Sequence, residues 1–274
     1  MNQLDLTGLN QMCRTVREDI VTMVHKAGSG HPGGSLSAVE LVVGLYMGGV
    51  MKVDPHNPDW EGRDRFILSK GHVGPVFYST LARMGFFPVE TLGTLRQLGS
   101  ILQGHPHASI LPGFDCSSGS LGQGLSIANG LALAFKKTGR DNRVYCMLGD
   151  GELQEGQVWE AVMTAPQHKL DNLCAIVDRN LVQLDGTVEE IKDIGDVAAK
   201  WHQFGWNVIE LDGHDMEQVL SAYRLAARTK GKPTVLVAHT IKGKGVSFME
   251  NDCAWHGQAP SDEQLAKALA EIRA

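Results

Sequence analysis

Leu148-Gly149-Asp150-Gly151-Glu152, followed beyond Gln154-Glu155-Gly156 by Val177-Asp178-Arg179-Asn180-Leu181-Val182, is the stretch whose reading decides the fold. Just upstream, residues 143–148 form a short apolar run rich in β-formers, and residues 173–177 form a second. Between them, 152–168 carries Leu153, Val158, Ala161, Val162 and Ala165 at helix-compatible positions. Strand, Gly-rich turn, helix and strand make a βαβ unit, which requires the two strands to be parallel. Gly149-Asp150-Gly151 then sits at the carboxyl end of the first strand and Asn180 just past the carboxyl end of the second. In open α/β sheets that edge is where ligands bind.

The residue types at this edge suit a metal and an anion. Asp150 offers an anionic oxygen, Asn180 an amide oxygen, and the peptide carbonyl of Val182 adds a third. Such oxygens suit Mg²⁺ or Ca²⁺, and Mg²⁺ completes its octahedron with water and substrate phosphates. Gly149 and Gly151 let backbone approach a diphosphate, and the following helix would aim its positive end at the same anion. Gly-Asp-Gly alone reads more readily as a turn, with Asn180 a loop residue. The thirty-residue separation of Asp150 and Asn180, with a helix and a strand between, favours the ligand site.

Outward from this unit, helices and strands alternate. Residues 9–27 are amphipathic, with Val16, Ile20 and Val24 at helical spacing, and end at Gly28-Ser29-Gly30. Gly30-His31-Pro32-Gly33-Gly34-Ser35 reads as a loop, and Ser37 as the cap of a helix carrying Leu41, Val42, Leu45 and Tyr46. A polar, Pro-rich connection at 52–64 leads to a short strand at 65–68, then to Ser69-Lys70-Gly71-His72 and a helix through Leu81. A short helix is expected at 92–98, a long loop from Gly104 to Gly124, and a small-residue helix to Lys137. Helices at 197–204 and 216–230 alternate with strands at 206–211 and 234–239, and a capped helix closes the chain at 261–274. This pattern predicts an α/β fold, a mainly parallel sheet flanked by helices, with residues 1–274 as one domain.

Composition narrows the function. With 274 residues, 43% of them hydrophobic, the chain is long enough for a sizeable core. A formal net charge of -6 argues against a nucleic-acid surface. The longest apolar stretch, 38–53, is broken by Glu40, glycines and Lys52, so no membrane span is expected. Met1-Asn2-Gln3-Leu4-Asp5 lacks a basic region followed by a hydrophobic one, so no secretory signal is expected. Five scattered cysteines without a CxxC read as reduced thiols of a cytoplasmic protein.

Four histidines, His31, His72, His105 and His256, lie beside glycine in loops, each after a strand or helix end, where all four are able to converge. Neutral imidazoles hold and deprotonate hydroxyls near neutral pH, which suits a polyhydroxylated substrate. Any one of them alone reads as a loop histidine bonded to backbone. A zinc site from His105 and His107 lacks further ligands at a suitable spacing. Lys242-Gly243-Lys244-Gly245 reads either as a diphosphate-neutralising loop or as a solvated surface loop.

The Gly149-Asp150-Gly151 to Asn180 spacing resembles the thiamin diphosphate motif, and residues from about 14 to 260 resemble the transketolase family. The resemblance is carried by Ser29-Gly30-His31-Pro32-Gly33, by Arg63-Asp64-Arg65-Phe66 with Leu68-Ser69-Lys70-Gly71-His72, by Gly104-His105-Pro106 and by Trp255-His256-Gly257. It implies the diphosphate domain of a thiamin diphosphate-binding fold, with Mg²⁺ (Ca²⁺ or Mn²⁺ as substitutes) held by Asp150, Asn180 and the Val182 carbonyl. It implies cofactor contacts from His72, Gly119, Leu121, Gly149, Asp150, Gly151, Glu155, Asn180, Lys242 and His256. His31, His72, His105 and His256 would be catalytic residues lining the substrate channel. Glu155 matches a carboxylate at the family's subunit interface, and Ser120 stands where single-chain members often have proline.

The family activates its cofactor with a glutamate from a second, pyrimidine-binding domain, and no such domain or glutamate is legible in this sequence. The resemblance therefore implies the N-terminal subunit of a split transketolase. Its expected partner is a C-terminal subunit carrying the pyrimidine-binding domain, in an α2β2 heterotetramer acting on sugar phosphates. The alternatives are a deoxyxylulose phosphate synthase-like or 2-oxoacid dehydrogenase-like subunit, or a non-catalytic cofactor-binding one.

Overall fold

The computed structural model describes residues 4–274; residues 1–3 of the stretch read for a leader lie outside the described residues. In chain order the elements are α1 (Leu6–Ala27), α2 (Pro32–Ser37), α3 (Val39–Met47), β1 (Arg65–Leu68), α4 (Gly74–Met84), α5 (Gly124–Lys137), β2 (Val144–Gly149), α6 (Gly156–Gln167), β3 (Leu173–Arg179), α7 (Val188–Lys192), α8 (Val197–Gln203), β4 (Asn207–Asp212), α9 (Met216–Arg228), β5 (Thr234–His239) and α10 (Asp262–Arg273). The strands form one parallel sheet in the order β1-β2-β3-β5-β4.

Side-chain alternation along the strands divides the core between two faces. Phe66, Leu68, Tyr145, Met147, Ile176 and Leu236 pack with α1, α3, α4, α9 and α10. Ile67, Cys146, Leu148, Ala175, Val177 and Val235 pack with α5, α6 and α8. Covering both faces is what a parallel sheet requires, and it explains why β2 and β3 read as continuous apolar runs. The carboxyl ends of β1, β2, β3 and β5 lie side by side, with Gly149 paired to Asp178 and Arg179 to His239. No helix among the described residues is long and apolar enough to cross a membrane.

Four local expectations are corrected. The segment after His31 is helical over Pro32–Ser37, not a loop. Pro32 starts it without needing an N–H. Gly33 and Gly34 serve packing rather than a turn, because a Cβ on Gly33 would come 2.8 Å from the Trp255 carbonyl oxygen and one on Gly34 3.0 Å from Val73. Ser37 does not cap α3; its hydroxyl donates to the Gly34 carbonyl and to Asp178. The helix expected at 92–98 is a 3-10 turn at Val89–Thr94 that ends before the fully exposed Leu98.

The helix expected at 152–168 is divided. A 3-10 turn at Gly151–Gln154 is followed by extended backbone at Glu155, and α6 begins only at Gly156. Asp150 accepts from the Gly151 N–H at the head of that turn, so the α-helix dipole starts further from the Asp150 turn than the periodicity suggests. The short α7, with its Thr187 and Glu190 capping box, was not legible as a separate helix.

Candidate active site

The loops after β2 and β3 are tied together by Asp150. This carboxylate is 3% exposed. One oxygen accepts from the Gly151 N–H at 2.8 Å and the other from the Leu181 N–H at 2.5 Å. Leu181 is left-handed, with φ 65°, a conformation uncommon outside glycine. Asn180 donates through Nδ2 to Asp178 at 3.3 Å, and its Oδ1 accepts from the Val182 N–H at 3.2 Å. The Val182 carbonyl accepts from the Lys242 ammonium at 2.9 Å. Asp150, Asn180 and Val182 therefore meet as the sequence spacing anticipates.

This donor set fits a hard divalent cation. Among the described residues no three His, Cys, Asp or Glu side chains group into a metal site, so a mixed set of carboxylate, amide and carbonyl oxygens is the candidate. One observation supports a cation there. Burial, and then the neighbouring Asp178, push the Asp150 carboxyl up to about 6 despite its two amide donors and Lys70, so further positive charge beside it would favour the ionised form. The Val182 carbonyl accepts from the Lys242 ammonium, which a metal at that oxygen would displace.

A cavity of about 270 Å³ opens beside this set, lined by Asp150, Asn180, Val182, Gly149, Gly151, Glu155, Leu121, His72, His256 and Lys242, with Lys70 and Glu152 behind them. Burial, and then Lys70, bring the Lys242 ammonium down to about 8. It also donates to His256 Nδ1 at 2.9 Å, which makes that nitrogen the acceptor and leaves the proton on Nε2. Leu121 and Glu155 are exposed at the rim.

The four histidines converge. The His31 ring lies 5.4 Å from His72, 5.5 Å from His256 and 6.2 Å from His105, and His72 stacks on His256 at 5.0 Å. Burial and then Arg96 lower His31 to about 4; burial and then Lys242 lower His256 to about 3. His72 is held well below the usual range by burial and Lys70, and His105 is lowered by burial and Arg96. All four are neutral at pH 7, able to accept a proton or share a hydrogen bond. Gly119, left-handed at φ 132°, lies against His105, where a Cβ would come 3.2 Å from the ring.

Two groups escaped sequence reasoning. Asp178, fully buried, pairs with the equally buried Lys70 and accepts from Ser37, Thr240 and Asn180. Burial alone raises its pKa, but Lys70 and the hydroxyl donors bring it below the usual value. Glu152 accepts from Ser69, from the Gly122 N–H at 2.8 Å and from the Gly149 N–H at 3.0 Å, bracing the loop that carries Leu121 against the Asp150 turn. The available signal was a charge at the end of an apolar strand for Asp178, and a second acid beside Asp150 for Glu152.

Residues 9–272 match the family model for the transketolase thiamine diphosphate binding domain. The chain belongs to the transketolase family. It is 44% identical to a 6-deoxy-6-sulfo-D-fructose transketolase subunit of Clostridium sp. strain MSTE9, covering 96% of each chain. It is 43% identical to an apulose-4-phosphate transketolase subunit of Phocaeicola vulgatus, covering 93% of this chain and 90% of that one. Among solved transketolases, that of Campylobacter jejuni superposes with a TM-score of 0.92 at 34% identity, over 98% of this chain and 43% of its own. The chain thus spans less than half the length of that transketolase. It has the parallel five-stranded architecture of the transketolase thiamin diphosphate domain.

Proposed function

We propose that this chain is the N-terminal, diphosphate-binding subunit of a split transketolase. With a second chain carrying the pyrimidine-binding domain, it transfers a two-carbon ketol unit from a ketose to an aldose. The observation that carries this reading is a cavity where the Asp150, Asn180 and Val182 oxygens meet His72 and His256, with the rings of His31 and His105 clustered against those two histidines. A cofactor-binding subunit without catalysis has no need of the two further neutral imidazoles, His31 and His105, beyond the diphosphate site. Matches over 90% or more of relatives named as transketolase subunits also support it.

The family resemblance supplies the roles. Asp150, Asn180 and the Val182 carbonyl would hold Mg²⁺; Lys242, His72 and His256, with the backbone of Gly149 and Gly151, would hold the diphosphate. Gly119 and Leu121 would contact the aminopyrimidine, and Glu155, at the exposed rim, would face the partner. When bound, thiamin diphosphate supplies the nucleophilic carbon for attack on the ketose carbonyl. His31 and His105 orient the sugar and move its hydroxyl protons, which their neutral state permits. Relatives named for a sulfonated and a phosphorylated sugar support anionic sugars as the substrate class. An α2β2 assembly in the cytoplasm, where the free cysteines remain reduced, completes the reading.

The test is reconstitution. The purified chain should bind thiamin diphosphate with Mg²⁺ yet transfer nothing, and turnover should appear on adding a chain that carries the pyrimidine-binding domain. Robust transfer by the isolated chain would overturn the split-enzyme reading.

A further inference from the structure

We propose that His214, gripped by the buried Glu40 and Arg17, is a positioning residue for the cofactor: it fixes the loop that presents Lys242 to the diphosphate. The inference rests on the cofactor site of the transketolase reading and adds to it a clamp outside the cavity.

The three residues come from three elements. Arg17 lies on α1, Glu40 on α3 and His214 in the turn between β4 and α9, and none of them lines the cofactor cavity. Glu40 is 6% exposed, and Arg17 pairs with its Oε1 at 2.7 Å. His214 Nδ1 lies 3.0 Å from Glu40 Oε2, and its Nε2 lies 2.8 Å from the Ile241 nitrogen. A peptide N–H only donates, so Nε2 is the acceptor and the ring proton sits on Nδ1, facing the carboxylate. Burial raises the Glu40 pKa, but Arg17 and then His214 outweigh it and hold the carboxyl below its ordinary value. The ionised Glu40 therefore sets both the tautomer and the orientation of the ring.

The same triad holds both ends of residues 241–244. Arg17 Nε donates to the Lys244 carbonyl at 3.1 Å, while His214 takes the Ile241 N–H. Between these contacts Lys242, 2% exposed, sends its ammonium to the Val182 carbonyl and to His256. Gly243 and Gly245 are both left-handed, at φ 79° and 91°. Glycine imposes little conformation of its own, so contacts from outside the loop decide where the lysine stands. The turn that carries His214 is itself closely seated. Gly213 donates to the His239 carbonyl at 2.8 Å, and a Cβ there would come 2.4 Å from Thr240 Cγ2.

Two amide replacements of His214 separate its contacts. Asparagine reaches only as far as Nδ1, keeping a donor for Glu40 but no acceptor for Ile241. Glutamine reaches the place of Nε2 and keeps that acceptor. In the purified chain, amide hydrogen exchange reads the 241–245 segment, and calorimetry reads the Kd of thiamin diphosphate with Mg²⁺. His214→Asn should speed exchange in the segment and weaken binding about 5- to 50-fold, and His214→Gln should return both to near wild type. A role confined to satisfying Glu40 would instead be rescued by asparagine. Equal behaviour of the two variants, a loosened segment with unchanged affinity, or a His214→Asn chain that fails to fold overturns the proposal. A wild-type chain that does not bind thiamin diphosphate overturns the cofactor reading itself, and the clamp's purpose with it.

Discussion

Acidification should release the divalent cation from this site at a pH set by Asp150. Burial, followed by Asp178, raises its carboxyl from the ordinary 3.8 to about 6. The metal requires the ionised form, so protons compete with it below that value. Affinity should be nearly constant above pH 7, halve near pH 6, and fall about tenfold per unit below it. The sign for stability is the reverse of the usual carboxylate. Because the folded pKa lies above the unfolded one, the group favours the fold most below about pH 4, and that contribution is lost as pH rises to 6. The difference of roughly two units costs the metal-free protein about 3 kcal/mol at pH 7, which a bound cation offsets. Mn²⁺ titrated without thiamin diphosphate, followed by solvent-water relaxation between pH 4.5 and 8, avoids the cofactor's own ionisation. Tm with and without Mn²⁺ should converge at the acid end. Binding that stays flat down to pH 5, or tightens on acidification, would refute the assignment of Asp150 as a metal ligand.

Two further outcomes are expected. Asp178→Asn leaves the buried Lys70 ammonium uncompensated and should destabilise the protein by about 3–5 kcal/mol in urea unfolding; adding Lys70→Met should restore much of that loss, and a double variant no better than the single would remove the pair from its scaffold role. His105→Ala should lower kcat/KM of the reconstituted enzyme by about two to four powers of ten while the thiamin diphosphate Kd, measured by calorimetry, changes little; an unchanged rate excludes it from handling sugar protons.

β1, β2, β3 and β5 were legible because each is a short, mostly buried apolar run, and β5 falls where the sequence puts it; β4, partly exposed at the sheet edge, was legible from its β-formers alone. Cap chemistry located the end of α1 at Gly28 and the capping box of α10 at Ser261. What misled was glycine. In Pro32–Ser37 glycines are present because neighbouring backbone and side chains approach closely, and composition alone does not separate that cause from a turn. The division at Glu155 was hidden because Glu152, Leu153 and Val158 keep helical spacing across the break. The hold of the Asp150 oxygens on the Gly151 and Leu181 amides was not legible, so Asp150→Ala would disturb both loops as well as any metal site. The convergence of four histidines required only that loops at strand and helix ends meet; the buried Lys70 and Asp178 pair depends on tertiary neighbours that no spacing reveals.

Asp150 and Asp178 stand at the ends of adjacent strands and look equivalent in sequence, but the fold assigns them opposite roles. Asp178 meets an ammonium and three further donors, and its pKa falls despite complete burial. A carboxylate so satisfied has nothing left for a ligand and serves to lock α2 and the loops after β1, β3 and β5. Asp150 is nearly as buried, receives only two amide N–H groups, and has its pKa raised. Lys242 is the complementary case: burial and Lys70 depress its pKa to about 8, and its acceptors are a carbonyl and a neutral imidazole rather than a carboxylate. A metal cation beside Asp150 and a diphosphate beside Lys242 would each move the perturbed group back toward its ordinary value, at about 1.4 kcal/mol per unit regained. Buried charges whose shifts record an unmet partner mark the binding surface, and the pair whose needs are met marks the scaffold beneath it.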